Sequence, residues 1–409
     1  MSSSDSSSAP HNIVIVGGGI IGCTTAYYLT RHPRFLPSKS TITLLEASAH
    51  GAAQGASGKA GGLVAKWAYP KEIVGVSFEE HVKLAGEHNG AERWGWRFVN
   101  TGSWAGRGER VETESSAQGL LAREKSLEKT RGLSPTSTAR KQKGLPDDLL
   151  WVKEHLTESY SPMAPSGATA QVHPYLFTTS MLALAQENGA DLKTACTVTK
   201  VLKSSGKVSG IEYRDAANGK TKTLSATNVI VCAGAWSPRI VPDLPIEGTR
   251  AHSIVIRTPP SKPIAPYVLF TEITGIGSGV STPEIYARPD RTVYACGPGD
   301  DSPVPENVDD VVVEASACET LLRNVSSISD ELREGEVEAR QACFLPVSSV
   351  GGGPIIGEVE KGSGLFVATG HTCWGISNAP GTAKAISELV LGGSVRCANL
   401  KNLHPSKFL

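Results

Sequence analysis

A glycine-rich turn between a buried strand and a helix is the feature that most constrains this chain. In "HNIVIVGGGIIGCTTAYYLTRH", residues 13–16 form a continuous apolar run rich in β-branched side chains, typical of a strand buried on both faces. Gly17, Gly19 and Gly22 follow with G-x-G-x-x-G spacing and open a predicted helix. In this pattern the first glycine permits a tight turn, the second lets a pyrophosphate approach, and the third lets helix and strand pack closely. The segment therefore predicts a dinucleotide-binding βαβ unit.

The second strand of that unit, "TITLLEAS", ends in an acidic residue. The carboxylate of Glu46 can accept hydrogen bonds from a ribose diol, and its charge disfavours the 2′-phosphate of NADP. The alternative is that Glu46 merely ends a strand at the surface. We predict Ile20 and Ile21 at the helix start, where N–H groups favour phosphate, and Glu46 and Ala47 at the strand end, as cofactor contacts.

The loop "GAAQGASGKAGGLVAKW" follows the second strand and is built from small residues. Such side chains suit a loop that lies directly against a flat, bulky cofactor, whereas an NAD domain would continue into a helix here. A flexible linker is the alternative, but the loop runs into apolar and aromatic residues that must be packed. The predicted contacts in this loop are Ser57, Lys59, Ala60, Gly61, Gly62 and Leu63. Further contacts are predicted in later strands and the turn after "VIVC", at Val198, Ala233, Gly234 and Trp236.

Composition and charge exclude several classes of function. Lys+Arg and Asp+Glu both number 40, so no basic field exists to attract nucleic acid or an anionic bilayer. The eight cysteines are scattered without a Cys-x-x-Cys, which argues against a metal site or a dithiol pair and favours a reducing compartment. No apolar run approaches about 18 residues, so no membrane span is expected.

Neither terminal segment carries a clear targeting signal. Residues 1–10, "MSSSDSSSAP", lack an apolar core, so we expect a disordered lead rather than a signal peptide. The final Lys-Phe-Leu fits a peroxisomal tripeptide only loosely. A cytoplasmic protein is expected.

The length of 409 residues is too great for one ordinary core. Downstream, "GTRAHSIVIRT" and "PEIYARPDRTVYACGPGD" alternate as antiparallel strands do. We predict an α/β fold in which a Rossmann-like domain carries an inserted antiparallel-sheet (α+β) substrate domain. The Rossmann-like domain comprises residues 11–70, 171–245 and 345–405, and the substrate domain comprises residues 71–170 and 246–344. A polar excursion at 107–143 is expected to contain a helical piece near Leu120–Leu127.

The order of these motifs resembles that of the FAD-dependent amine and amino-acid oxidase superfamily, which includes D-amino-acid oxidase, glycine oxidase and sarcosine oxidase. The resemblance covers most of the chain, through "IVGGGIIG", "GASGKAGG", "QVHP", "VIVCAGAWS", "YARPDRTVYACG", "ACFLPVSSVGGGPIIG" and "GLFVATGHTCWGISNAPG". It is closest to a eukaryotic branch with Ala-Cys-x-Leu-Pro and Gly-His-x-Cys-Trp-Gly-Ile. The resemblance implies an FAD cofactor and oxidation of the C–N bond of a small amine or amino acid by hydride transfer to flavin N5.

The resemblance also implies that the chain returns to the cofactor domain at its end. The strand "GLFVATG" would lie beside the nucleotide sheet, and "HTCWGISNAPG" would turn over the flavin ring. A final helix is expected to begin at Pro380, with its N-terminal N–H groups facing the flavin. The contacts expected in this segment are Gly370, His371, Cys373, Trp374, Gly375 and Ile376.

In sarcosine-oxidase-type enzymes a cysteine carries FAD through a thioether to the flavin 8-methyl, and Cys343 falls near that place. The pattern departs from the family, because Leu345 stands where an aromatic residue is expected and residues 347–350 replace a Thr-Pro-Asp turn. A plain buried cysteine is the alternative. Both interpretations stay open.

Relatives that act on amino acids hold the substrate carboxylate with an arginine, and Arg288 or Arg340 is the candidate here. A solvated or structural arginine is the alternative for each, and His371 has an alternative as a buried loop histidine. The predicted catalytic set is His252, Tyr286, Arg288, His371 and Trp374. A second class of function stays open, in which FAD is structural and the protein acts in interaction or regulation through the 107–143 excursion.

Overall fold

A six-stranded sheet lies at the centre of the fold, in a computed structural model that describes residues 10–109, 144–262 and 264–409. Residues 1–9 of the predicted lead and the helical piece near Leu120–Leu127 lie outside the described residues. Numbered along the chain, the strands from edge to edge are β18 (Ile355–Glu358), β19 (Leu365–Thr369), β12 (Asn228–Val231), β1 (Asn12–Val16), β2 (Thr41–Leu45) and β8 (Ala190–Lys193). All neighbours are parallel except β18, which pairs antiparallel with β19.

Alternation along β1 divides its side chains between two cores. Ile13 and Ile15 pack with the helices, whereas Val14 and Val16 pack with a small antiparallel sheet on the opposite face. The central sheet is therefore the middle of three layers. The helical layer contains α1 (Ile20–Thr30), α2 (Lys71–Glu87), α3 (Gly90–Trp94), α4 (Pro174–Gln186) and α7 (Gly375–Gly392), and the opposite layer contains β9 (Cys196–Ser204), β10 (Lys207–Asp215) and β11 (Lys220–Ser225).

A seven-stranded sheet makes up most of the rest of the molecule. Its order is β17 (Glu336–Ser348), β13 (Ile246–Arg257), β16 (Thr292–Asp300), β15 (Glu284–Ala287), β14 (Tyr267–Thr274), β5 (Asn100–Arg107) and β6 (Thr157–Pro162). All neighbours are antiparallel except β5 and β14. One face packs on α5 (Ala315–Ser326) and α6 (Asp330–Arg333), and a fourth, three-stranded sheet is formed by β3 (Leu63–Ala65), β7 (Thr169–Gln171) and β4 (Arg97–Phe98).

The predicted α/β architecture with a second, antiparallel sheet is confirmed, and so is the return of the chain to the parallel sheet as β19. The division into discontinuous domains stays a prediction. The prediction that the final helix begins at Pro380 was wrong, because α7 begins at Gly375 and Pro380 lies inside it. Proline has no N–H for the carbonyl of Ile376, and that carbonyl instead contacts His81 Nε2 at 2.9 Å. The helix therefore continues through the proline.

Of the helices in the described part of the chain, none is long and apolar enough to cross a bilayer.

Candidate functional site

The carboxyl ends of three parallel strands open onto one cavity. Val16 of β1 is level with Leu45 of β2 and with Val231 of β12, so the residues that follow them emerge at the same sheet edge. The chain leaves β1 for β2 on one side and later places β12 on the other, and such a switch point is where open α/β sheets bind ligands. The cavity there has a volume of about 390 Å³.

The glycine turn after β1 brings backbone against backbone. Gly17 has a φ of +109°, and a Cβ atom on it would lie 2.6 Å from the carbonyl oxygen of Cys232. A Cβ atom on Gly22 would lie 2.0 Å from the carbonyl oxygen of Gly17. Neither position has room for a side chain, so Gly17 reaches the cavity wall as bare backbone.

Glu46 is a buried carboxylate on the cavity wall. Its Oε2 accepts the N–H of Gly18 at 2.6 Å, and its Oε1 accepts the N–H of Ser48 at 2.8 Å. Burial raises the pKa of Glu46, and these two hydrogen bonds oppose that rise. A carboxylate has about four acceptor positions, so Glu46 retains capacity for ligand hydroxyl groups.

The small-residue loop packs against both the helix start and the second sheet. Ser57 Oγ accepts the N–H of Ile20 at 2.8 Å, which places Ser57 at the start of α1. Lys59 Nζ donates to the carbonyl of Ala342 in β17 at 3.2 Å. A Cβ atom on Gly61 would lie 2.7 Å from the ring of Tyr286, so this glycine allows the loop to approach the second sheet.

The returning segment also lines the cavity, from His371 to Ile376. His371 is buried, and its Nε2 lies 3.0 Å from Thr382 Oγ1 in α7. Burial lowers the pKa of His371 to about 3, so the ring is neutral near pH 7. Trp374 is buried beside it, with its ring edge-on to Trp67 at 5.5 Å and to Tyr69 at 5.6 Å.

Tyr286 lies on β15 and Arg288 lies in the turn after it, next to the small-residue loop. Arg288 is 6% exposed, and its Nη2 donates to the carbonyl of Ala60, a cavity residue, at 3.0 Å. Its guanidinium lies 5.2 Å from the centre of the Tyr294 ring, and its Nε has no partner among the described residues. Burial lowers the pKa of Arg288. Tyr286 is fully buried and donates its hydroxyl to Glu284.

The other two candidates on the second sheet have partners away from the cavity. His252 Nε2 accepts the N–H of Glu314 at 3.0 Å, and burial lowers the pKa of its ring. The side chain of Arg340 is 43% exposed and pairs with Glu319 at 3.5 Å. Neither residue lines the cavity.

Many of the predicted cofactor contacts share the cavity wall. These are Gly17, Gly19, Ile20, Ile21, Glu46, Ala47, Ser57, Ala60, Val198, Ala233, Gly234, Trp236, His371, Cys373, Gly375 and Ile376. The remaining predicted site residues are not on this wall: Gly22, Lys59, Gly61, Gly62, Leu63, His252, Tyr286, Arg288, Cys343, Gly370 and Trp374.

Sequence reasoning missed several wall residues. Thr197 and Thr199 flank the predicted Val198, and residues 344–346 directly follow the predicted Cys343. Their positions next to predicted contacts were the signal that could have identified them. Glu306 and Val308 come from the connection after β16 and carry no local signal.

Comparison with known proteins agrees with this geometry. Residues 12–389 match the DAO family model, described as FAD dependent oxidoreductase. TDA3 of Saccharomyces cerevisiae, named as an oxidoreductase, is 32% identical over 99% of this chain and 96% of that protein. A Schizosaccharomyces pombe protein named likewise is 33% identical over 96% of this chain and 97% of that protein. Glycine oxidase from Geobacillus kaustophilus has the same fold, with a TM-score of 0.69 at 18% identity over 98% of this chain and 100% of that one.

Proposed function

Because the chain belongs to the DAO family of FAD-dependent oxidoreductases, we propose that it oxidises the C–N bond of a small amine or amino acid. One observation carries the proposal. The cavity is lined both by Gly17, Gly19 and Glu46 and by residues of the returning segment, including His371 and Ile376. Segments from opposite ends of the chain thus meet around a single binding space.

The residues present fit FAD. The Gly17 turn leaves a cradle that a Cβ atom would fill, and the start of α1 presents backbone N–H groups that suit a pyrophosphate. Glu46 would take the ribose hydroxyls, and the segment from His371 to Ile376 would lie against the ring. When bound, FAD supplies the acceptor for a hydride from the carbon next to nitrogen.

We propose Arg288 as the residue that holds a substrate carboxylate. It is buried beside the cavity residue Ala60, and its Nε lacks a partner in the part of the chain that the structure describes. A guanidinium in such surroundings forms strong bidentate bonds with a carboxylate. Arg340 is less suitable because it is exposed and already paired with Glu319.

The absorption spectrum of the purified protein tests the cofactor. Flavin bands, present at purification or after addition of FAD, are expected. Anaerobic addition of a panel of amines and amino acids should then bleach them. A colourless protein that takes up no FAD would contradict FAD binding by this chain. A coloured protein that no compound bleaches would favour structural FAD in interaction or regulation, through an excursion whose residues 110–143 lie outside the described part.

Two arginine variants test the carboxylate site. R288M is expected to raise KM for an amino acid by at least about tenfold, because a charge-assisted pair is lost, and to spare an amine without a carboxylate. R340M is the matched control and should leave both KM values unchanged. Equal effects of the two variants on the amino acid would reject Arg288 as the anchor.

Covalent attachment of FAD through the Cys343 thiol is a separate proposal. Cys343 is 6% exposed in β17, and residues 344–346, directly after it, line the cavity. Acid precipitation tests the link. Yellow colour in the pellet that C343S lacks would support it, whereas colour entirely in the supernatant would contradict it.

We also propose a cytoplasmic location, to be tested by imaging the chain with a fluorescent tag at either end. Accumulation in a membrane-bound organelle with both tags would contradict it.

A further inference from the structure

The contact between α2 and the start of α7 is unusual because side chains of one helix bind the backbone of the other. Pro380 leaves the carbonyl of Ile376 without its helical N–H donor. His81 of α2 contacts this carbonyl through Nε2 at 2.9 Å. An imidazole from a neighbouring helix therefore takes the place of a missing backbone donor.

Ser77 lies one turn before His81 on α2 and contacts the same part of α7. Its Oγ accepts the N–H of Gly381 at 3.1 Å and donates to the carbonyl of Asn378 at 3.1 Å. In a regular helix the Gly381 N–H would bond to the carbonyl of Ser377. Ser77 and His81 together thus satisfy the backbone that Pro380 disturbs.

The surroundings of His81 define it as a neutral donor. It is 1% exposed, stacks on Trp96 with ring centres 6.0 Å apart, and contacts Phe177 with ring centres 5.0 Å apart. Burial lowers its pKa to about 4. Across residues 10–109, 144–262 and 264–409, nothing pairs with its Nδ1, so the tautomer with a proton on Nε2 matches the contacts.

We propose that His81 is a positioning residue for the cofactor site and acts through the carbonyl of Ile376. Ile376 lines the cavity, and its own carbonyl is the group that His81 binds. His81 therefore fixes the segment from His371 to Ile376 from behind, without touching the cavity. This inference rests on the proposed function, since it assigns His81 a role in holding FAD.

The experiment removes the His81 N–H that binds the Ile376 carbonyl and then supplies a backbone N–H from α7 itself. H81F keeps an aromatic ring between Trp96 and Phe177 but removes the N–H. It is expected to weaken FAD binding about tenfold, because the buried carbonyl of Ile376 loses its donor and the segment shifts. P380A supplies a backbone N–H at position 380. In H81F/P380A, FAD affinity should therefore return to within about twofold of that of P380A alone.

H88F is the matched control, since it removes a histidine contact of 2.7 Å to Tyr27 Oη at the end of the same helix. It should bind FAD as the wild type does. H81Q, whose amide can still donate, should keep most of the affinity and serves if H81F does not fold. Wild-type affinity in H81F, or no recovery in the double variant, would overturn the role of His81. Failure of the wild type to take up FAD would instead reject the proposed function.

Discussion

Two helices begin at the same cavity, and they are held there in different ways. The start of α1 follows directly from the Gly17 turn, and the N–H of Ile20 is bound by Ser57 from the adjacent loop. The start of α7 emerges from a 3₁₀ turn, contains Pro380, and takes hydrogen-bond partners from α2. The first geometry is specified mainly by its own glycines, with one serine from the loop after β2. The second depends on a distant helix, so it should respond to substitutions that never touch the cavity.

The parts of the cavity wall near α1 and near α7 also differ in charge. Near α1 the wall carries the buried carboxylate of Glu46, whereas near α7 it carries the neutral ring of His371. The His81 ring behind α7 is neutral as well. Near the start of α7 the positive charge therefore comes from the helix backbone alone and not from a protonated His371 or His81.

The largest expected effect is at the first helix start. In G22A the added methyl group would meet the carbonyl of Gly17 at 2.0 Å, a backbone atom that cannot move aside. We expect the free energy of unfolding to fall by about 3 kcal/mol, as for severe overpacking. Urea denaturation measures it. G75A in α2, where a Cβ atom meets nothing within 4 Å, is the control and should not destabilise the protein.

A glycine in the second turn of α7, Gly381, should be less sensitive. In G381A the methyl group would lie 2.3 Å from Ser77 Oγ and 2.9 Å from the carbonyl of Ile73. Because the serine can turn away, the expected loss is about 2 kcal/mol. In the S77A background G381A should cost less, because the serine hydroxyl no longer meets the methyl group. Some loss should remain, because the Ile73 carbonyl still does. A loss as large as that of G22A would mean that both helix starts are equally rigid.

Glu46 sharpens the comparison at the level of the ligand. E46Q leaves one acceptor oxygen but turns an amide towards the N–H of Gly18 or of Ser48. FAD affinity, measured by titration of the flavin fluorescence, is expected to fall about tenfold. E306Q is the control, because Glu306 also lines the cavity but its side chain is 72% exposed and pairs with Arg214. Similar losses in both variants would point to general charge rather than to the Glu46 contact.

These contrasts explain what the sequence reveals. The βαβ unit is predictable because its signals are local in sequence. The apolar run predicts the first strand, the three glycines predict the turn, and Glu46 marks the end of the second strand. The α7 start was misplaced because the donor that lets the helix pass Pro380 comes from His81, which no local pattern links to it. The strand β13 that carries His252 was predicted from its alternating pattern. The ring of His252, however, accepts the N–H of Glu314, which no pattern in β13 reveals. Only tertiary contacts identify such partners.

The smallest effect concerns pH and tests whether the α7 end is neutral. The pKa of His81 falls from 6.5 to about 4 on folding, so below pH 6.5 the unfolded chain binds a proton that the folded chain does not. His81 therefore makes stability decrease as pH falls from 6.5 towards about 4, with its full contribution present above 6.5. Between about pH 6 and 5, wild type should lose about 1 kcal/mol more than H81F, and above about pH 7 the two curves should run parallel. Denaturation at each pH measures the difference. Parallel curves over the whole range would mean that His81 carries the same charge folded and unfolded, and then it would not be the neutral donor on which the start of α7 depends.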